Sequence, residues 1–349
     1  MDEKRKRLLS DVTAKPRLGE DPRDFLPKAA RSGFQLGSLG ETIGVWKAML
    51  EDPDAVVYLG LAGAVVPAGF GPLLGECLRH NMVDVVVSTG AQVYHDLYEA
   101  VQGDHFKLKP GVTDHELNVM NVDRIYDVVA DDIDYQDFDE RIAERLDGFP
   151  PSRDYITPVF LETLVRSFEN ELRGRDSMVV SALDARVPIF MPTLFDASTS
   201  FALVLRRHRD GATPVNVDFT EDLYQQYRIF REARKTGGIY IGGGVPKNHI
   251  QQLHPLVQVV EGIYGHQEDS GHDYGIQFTA DQPVWGGLSG CTMEESESWG
   301  KYHGSSMRAV CYGDATINFY LAACTVFKEM EGTLAKRKPR RLMERLPGV

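Results

Sequence analysis

The feature that most constrains this fold is a recurring order of apolar strand, small-residue turn and helix. A-V-V-Y-L-G-L (55–61) is a continuous apolar run of strand length, followed by A-G-A and a helical pattern over 68–80. V-D-V-V-V-S-T (83–89) repeats the order, with Gly90 and Ala91 at its end and a helix through Ala100. The pattern returns at V-P-I-F-M-P (187–192) before Asp196 and a helix at 199–207, and at V-N-V-D-F (215–219) before a helix near 221–235. G-I-Y-I (238–241) runs into Gly242, Gly243 and Gly244; strands at 274–279 and 307–312 complete the set, the last followed by Asp314 and a helix to about 330. This alternation predicts an α/β fold: a Rossmann-like, doubly wound, mostly parallel sheet with helices on both faces. Helices are expected between the strands as well, at 40–50, 135–146, 154–173 and 175–184.

A chain of 349 residues with 42% hydrophobic content can bury one substantial core, so one catalytic domain over 31–330 is expected. Residues 1–30, charged and punctuated by Pro16, Pro22 and Pro27, read as an N-terminal arm, and 331–349 as a basic tail whose K-R-K-P-R-R run is solvated. A formal charge of −13 argues against nucleic acid and suits cationic small molecules. Four scattered cysteines without C-x-x-C spacing fit a reducing cytoplasm, and no run of about eighteen apolar residues predicts a membrane span. H-Q-E-D-S-G-H-D (266–273) holds metal-ligand residue types but no open-site zinc pattern, so no metal is expected.

In a parallel sheet, ligands bind at the carboxyl ends of the strands. Those ends carry Thr89, Gly90, Ala91, Asp196, Gly243, Thr279, Asp314 and Ala315. Small residues there let a dinucleotide lie against backbone amides and a helix N-terminus, while carboxylates can bind ribose hydroxyls. Ordinary tight turns and helix caps explain the same residues, and G-G-G-V-P-K is not G-x-G-x-x-G. The second chemical feature is W-G-G-L-S-G-C-T-M-E-E-S-E-S-W-G-K (285–301), a glycine-rich loop ending on Lys301. A lysine held in a partly dry cleft loses proton affinity and can attack carbonyls or imines, with Trp285 and Trp299 as the candidate wall. A solvated lysine at a loop end is the alternative.

S-G-F-Q (32–35), H-N-M-V-D-V-V-V-S-T (80–89), G-G-G-V-x-K (242–247), S-W-G-K (298–301) and Y-G-D-A (312–315), in this order and with similar spacing, together resemble deoxyhypusine synthases over about 30–330. Members of that family are NAD-dependent homotetramers that oxidise spermidine, carry its aminobutyl group as an imine on a lysine, and pass it to a lysine of a translation factor. The resemblance implies Lys301 as the imine-forming residue, Trp299 as the lining of the amine tunnel and Glu295 as its acidic neighbour. It also implies NAD contacts at the eight strand-end residues named above. The family's paired glutamates are here Tyr94 and His95, its histidine after G-G-G-V-x-K is Asn248 with His249 next along, and one of its aspartates is Phe201. Its G-S-D run before the acidic turn reads Gly286, Gly287, Leu288.

The expectation is therefore retained NAD chemistry with a changed amine, in sites built between subunits of a homotetramer. Asn248 and Trp285 are expected on the amine side. His95 is expected to move a proton near neutral pH in place of the missing histidine. A free polyamine such as putrescine is the expected acceptor, giving homospermidine. True deoxyhypusine synthase activity, or a catalytically weak NAD- or amine-binding protein, are the alternatives.

Overall fold

A computed structural model describes residues 13–150, 154–174, 176–209, 211, 214–263 and 270–348. Its main sheet has six strands: β1 (Ala55–Leu61), β2 (Val85–Thr89), β3 (Ile189–Thr193), β4 (Lys235–Ile241), β5 (His272–Thr279) and β6 (Tyr302–Tyr312). They lie in the order β6-β5-β4-β1-β2-β3, and every neighbouring pair is parallel. That is the 3-2-1-4-5-6 order of a dinucleotide-binding sheet, whose direction of winding reverses between β1 and β4. β1 is buried along its whole length, which is why it reads as an unbroken apolar run.

The helices that position the site are α1 (Phe34–Glu51), α2 (Gly71–Arg79), α3 (Gly90–Val101), α4 (Met178–Ala185), α5 (Ser198–His208), α6 (Gly244–Gln251), α7 (Leu253–Val260), α8 (Met293–Ser298) and α9 (Ala315–Leu334). On one face of the sheet Trp46 of α1 stacks on Phe319 of α9, with ring centroids 5.7 Å apart, and Phe319 meets Phe278 of β5 edge-on. On the other, Tyr58, Phe230 and His272 pack ring against ring, and the Tyr240 and Tyr302 hydroxyls lie 3.1 Å apart. Both faces are thus covered, as expected.

Several sequence expectations change. The helix predicted over 154–173 is split: Asp154–Tyr155 pairs in parallel with Asn216–Val217 outside the main sheet, and the helix runs only Thr157–Ser167. Its start is fixed by Asp222, whose buried carboxylate accepts from Thr157 N at 2.7 Å. Between α3 and Asp132–Leu146 lies a small antiparallel sheet, Phe106–Lys107, Val128–Asp131 and Val122–Ile125, that the sequence pattern did not predict. The basic end is not a solvated tail. Arg337 pairs with Asp84 at 2.5 Å, Asp84 also accepts from Val57 N, and Leu342, Met343 and Leu346 are buried in the main core. Phe25, Leu26 and Ala29 of the N-terminal segment join the same core, and Asp24 pairs with Lys328 of α9.

Candidate active site

Lys301 sits between α8 and β6, where Gly300 turns the chain through the left-handed region (φ 66°). Thr292 starts α8 by accepting from Glu295 N at 3.0 Å, and the acidic turn closes when Lys301 N donates to Ser296 O. The lysine is only 6% exposed. Its Nζ donates to Asn248 Oδ1 at 2.8 Å and lies 5.9 Å from the Trp299 ring centroid. Burial lowers its pKa from the ordinary lysine value, against opposing pulls from Cys291 and Glu295. The solvated-lysine reading therefore does not hold.

Around Lys301 is a 310 Å³ cavity lined by Asn248, Gln252, Leu288, Cys291, Glu295 and Trp299, with glycine backbone from the 286–290 loop. Trp285 does not line it and is largely exposed, so in one chain Trp299 alone forms the aromatic wall.

A second lysine was missed by sequence reasoning. Lys247 is 1% exposed, and its Nζ donates to Gln277 Oε1 at 2.8 Å and to the carbonyl of Cys291 at 2.5 Å. Gln277 in turn donates to the carbonyls of Gly242 and Ser289, both at 2.8 Å, and Ser289 Oγ accepts from Gly244 N at 2.9 Å. This network fastens the 286–291 loop onto the glycine turn after β4. Burial brings Lys247 down to about 8, and the neighbouring Lys301 charge pushes the same way. The available signal was a lysine among the buried positions of α6, beside Pro246, Ile250 and Gln251.

His95 is placed elsewhere. Its Nδ1 lies 3.1 Å from His105 Nε2 and 3.2 Å from the Tyr135 hydroxyl, in a cluster with Tyr94, and it does not line the lysine cavity. Burial, with His105 adding to it, drives its pKa down to about 3. An imidazole held neutral throughout the physiological range is a weak base, so the expectation of a group titrating near neutrality fails.

The strand-end residues do come together. Thr89 and Gly90 join β2 to α3, Asp196 follows β3, Gly243 joins β4 to α6, Thr279 closes β5, and Asp314 with Ala315 joins β6 to α9. Residues of this kind fit a dinucleotide on one observation. The N-terminus of α3 has no side-chain cap from Thr89, which leaves first-turn amides for a diphosphate, whereas at α6 the Gly244 amide is taken by Ser289 Oγ. A Cβ on Gly243 would also fall 2.7 Å from Ser289 Cα, so a bare backbone is required where the turn meets the loop. Asp314 accepts from Thr316 N at 2.7 Å and caps α9; its carboxylate stays exposed and its pKa is lowered, first by the Thr316 hydroxyl. Asp196 is exposed as well. Among the described residues no group of metal-ligating side chains forms, and residues 264–269 of the possible metal loop lie outside them. No described helix is long and apolar enough to cross a membrane.

Comparison with known proteins identifies a family and a likeness of fold. The family model for deoxyhypusine synthase matches residues 24–325. "Probable deoxyhypusine synthase 2" of Methanosarcina acetivorans is 37% identical over 296 residues, covering 84% of this chain and 83% of that protein. "Deoxyhypusine synthase-like protein" of Chlorobaculum tepidum is 33% identical over 300 residues, covering 86% and 84%. A crystal structure from Entamoeba histolytica, assigned as a deoxyhypusine synthase, superposes with a TM-score of 0.56 at 14% identity over 89% of this chain and 94% of that one, a likeness of fold.

Proposed function

The chain belongs to the deoxyhypusine synthase family, and from that premise we propose that it is an NAD-dependent transferase: it moves an aminoalkyl group, aminobutyl in the simplest case, from a donor polyamine to a small acceptor amine through an imine on Lys301. The observation that carries the reading is a lysine only 6% exposed, with depressed proton affinity, at the amino end of β6 in a cavity that runs to the 286–291 loop, where that loop meets the glycine turn at the carboxyl edge of a 3-2-1-4-5-6 sheet. NAD, bound along Thr89, Gly90, Ala91, Gly243, Thr279 and Asp314, would supply the acceptor for the hydride leaving the donor's α-carbon and return it at the end.

The chain's own residues perform the transfer. Lys301 Nζ attacks the carbon of the donor's imine, the donor's C–N bond breaks and its amine leaves. Asn248 aims the Nζ through its side-chain carbonyl, Trp299 covers it, and Glu295 at the rim is placed to pair with the donor's ammonium. The acceptor amine then attacks the same carbon and releases Lys301 as a free amine. Reduction of the new C=N bond closes the cycle without net oxidation. Lys247 braces the loop that forms the cavity's floor.

The cavity is bordered by exposed Leu288 and Trp299, with exposed Val284 and Trp285 in the adjoining turn, and Phe195 and Phe201 are exposed beyond β3. Such apolar surface supports association of copies, as a dimer or tetramer with sites between subunits. Sedimentation as a monomer at micromolar concentration refutes it.

Borohydride added to protein, NAD and spermidine should fix an aminobutyl group on Lys301, read by peptide mass. Lys301→Arg should abolish the adduct and retain NAD binding, because guanidinium stays protonated and is no amine nucleophile. An adduct elsewhere, or turnover by the arginine variant, overturns the assignment.

A further inference from the structure

The lysine cavity does not end at Asn248. Asn248, Gln252 and Leu288 also belong to a second cavity of 390 Å³, whose remaining walls are Leu223, Val245, His249, Pro255, Leu256 and Val259 of α6, α7 and the helix Phe219–Glu232. The shared residues place it directly beside the Lys301 site. Among the described residues no aspartate or glutamate lines it. Its one titratable side chain, His249, is driven down to about 4 by burial and is therefore neutral at physiological pH. The Nε2 of that ring has no hydrogen-bond partner. On the lysine side, Glu295 is the single carboxylate.

We propose that this second cavity is the acceptor subsite, and that the acceptor is a primary amine with one nitrogen and an uncharged hydrocarbon tail, alkyl or aralkyl, in place of a polyamine. The assignment rests on Lys301 as the carrier. The acceptor's nitrogen lies at the Asn248 boundary, within reach of the carbon held on Lys301, and its tail lies along Val245, Leu256 and Val259. A diamine entering the same way would bring a second ammonium against hydrocarbon that, among the described residues, offers no carboxylate, and even partial loss of its water without a counter-charge is unfavourable. In the step itself the acceptor's free amine attacks the Lys301 imine carbon, a C=N bond forms to the acceptor, and Lys301 leaves as an amine. The nicotinamide cofactor then returns the hydride. The product is a secondary amine joining the aminobutyl group to the acceptor's nitrogen.

The test has a binding arm and a product arm, both on the full chain. In the first, n-alkylamines from ethylamine to hexylamine are titrated calorimetrically, with putrescine as the diamine matched to butylamine. Affinity should tighten by roughly fourfold per methylene at most, until the cavity is filled, and putrescine should bind more weakly than butylamine. Val259→Asp, at a largely exposed position that tolerates a charge, should reverse that order; Val245→Asp, in the first turn of α6, provides a second variant at a different wall. In the product arm, spermidine and NAD load Lys301, and mass spectrometry identifies which amine of an equimolar mixture receives the aminobutyl group; hexylamine should win. A series flat with chain length, or putrescine binding or reacting at least as well as butylamine, overturns the proposal. It is likewise overturned if Val259→Asp dissociates an oligomer and leaves amine preference unchanged, because the cavity is then a contact between copies. Absence of any Lys301 adduct refutes the carrier assignment instead, and the calorimetric series still decides the subsite independently.

Discussion

Removing the Asn248 side chain tests the chemical heart of the site. Its Oδ1 accepts from Lys301 Nζ at 2.8 Å, a hydrogen bond that favours the charged lysine. Loss of a hydrogen bond to a charged group costs that form about 1.5–3 kcal/mol, and one pKa unit corresponds to about 1.4 kcal/mol. Asn248→Ala should therefore lower the Lys301 pKa by roughly one to two units, nearer one because water entering the vacated space replaces part of the bond. The assay needs no cofactor: reductive alkylation of Lys301 by butyraldehyde and cyanoborohydride, followed by peptide mass as a function of pH. The rate rises as the free amine appears, so the midpoint of the variant should lie about one unit below that of the unaltered protein. A midpoint that stays or moves upward refutes the reasoning, since Asn248 would then not be stabilising the ammonium.

Three further outcomes follow from the same geometry. Lys247 is protonated in both states at neutral pH, and its folded pKa of about 8 lies below the ordinary 10.5, so charging it opposes folding and the opposition lifts as pH rises from 8 to 10.5. The stability of the unaltered protein relative to Lys247→Met should accordingly increase by about 3 kcal/mol across that window in parallel denaturant titrations; a constant difference contradicts it. Gly243→Ala would push a methyl to 2.7 Å from Ser289 Cα, so NAD affinity, read by calorimetry, should fall by roughly tenfold or more, equivalent to about 1.4 kcal/mol, while an unchanged affinity would show that the turn is not part of the cofactor site. His95→Gln should leave the pH profile of spermidine-dependent adduct formation unaltered between pH 5 and 8, because an imidazole brought down to about 3 does not titrate there, and a lost inflection in that range would restore it as a proton carrier.

The sheet was legible because parallel strands buried on both sides must be apolar throughout, and β1 and β2 are buried almost completely. The antiparallel insert was not, because Phe106–Lys107 is two exposed residues and Val122–Ile125 mixes exposed with half-buried positions, leaving no period to read. The basic end misled for a different reason. Local composition announces Arg337 and Arg340 as charges, but only the fold brings them to Asp84 at the start of β2. Site residues divide along the same line. Lys301, Trp299, Glu295 and Asn248 converge on one cavity; the first two lie in S-W-G-K, Glu295 just before it and Asn248 directly after G-G-G-V-P-K, so short local segments mark all four. Lys247 escaped notice because its partners, Gln277 and the Cys291 and Ser289 carbonyls, come from a strand end and a loop distant in sequence.

The choice of a neutral amide as partner for Lys301 explains how the site can keep a nucleophile. A carboxylate at 2.8 Å would favour the ammonium strongly and leave little free amine, whereas an amide oxygen fixes the Nζ at a smaller electrostatic cost. Burial then depresses the pKa, and the charge on Lys301 in turn helps lower that of the neighbouring Lys247. Glu295 pulls the other way but stands exposed at the rim, where water weakens its effect on Nζ and leaves it free to meet a cationic donor. The loop braced by Lys247 and Gln277 holds the cavity's shape against the glycine turn, so that the amide of Asn248, and no carboxylate, is the group bonded to the Nζ that must lose its proton.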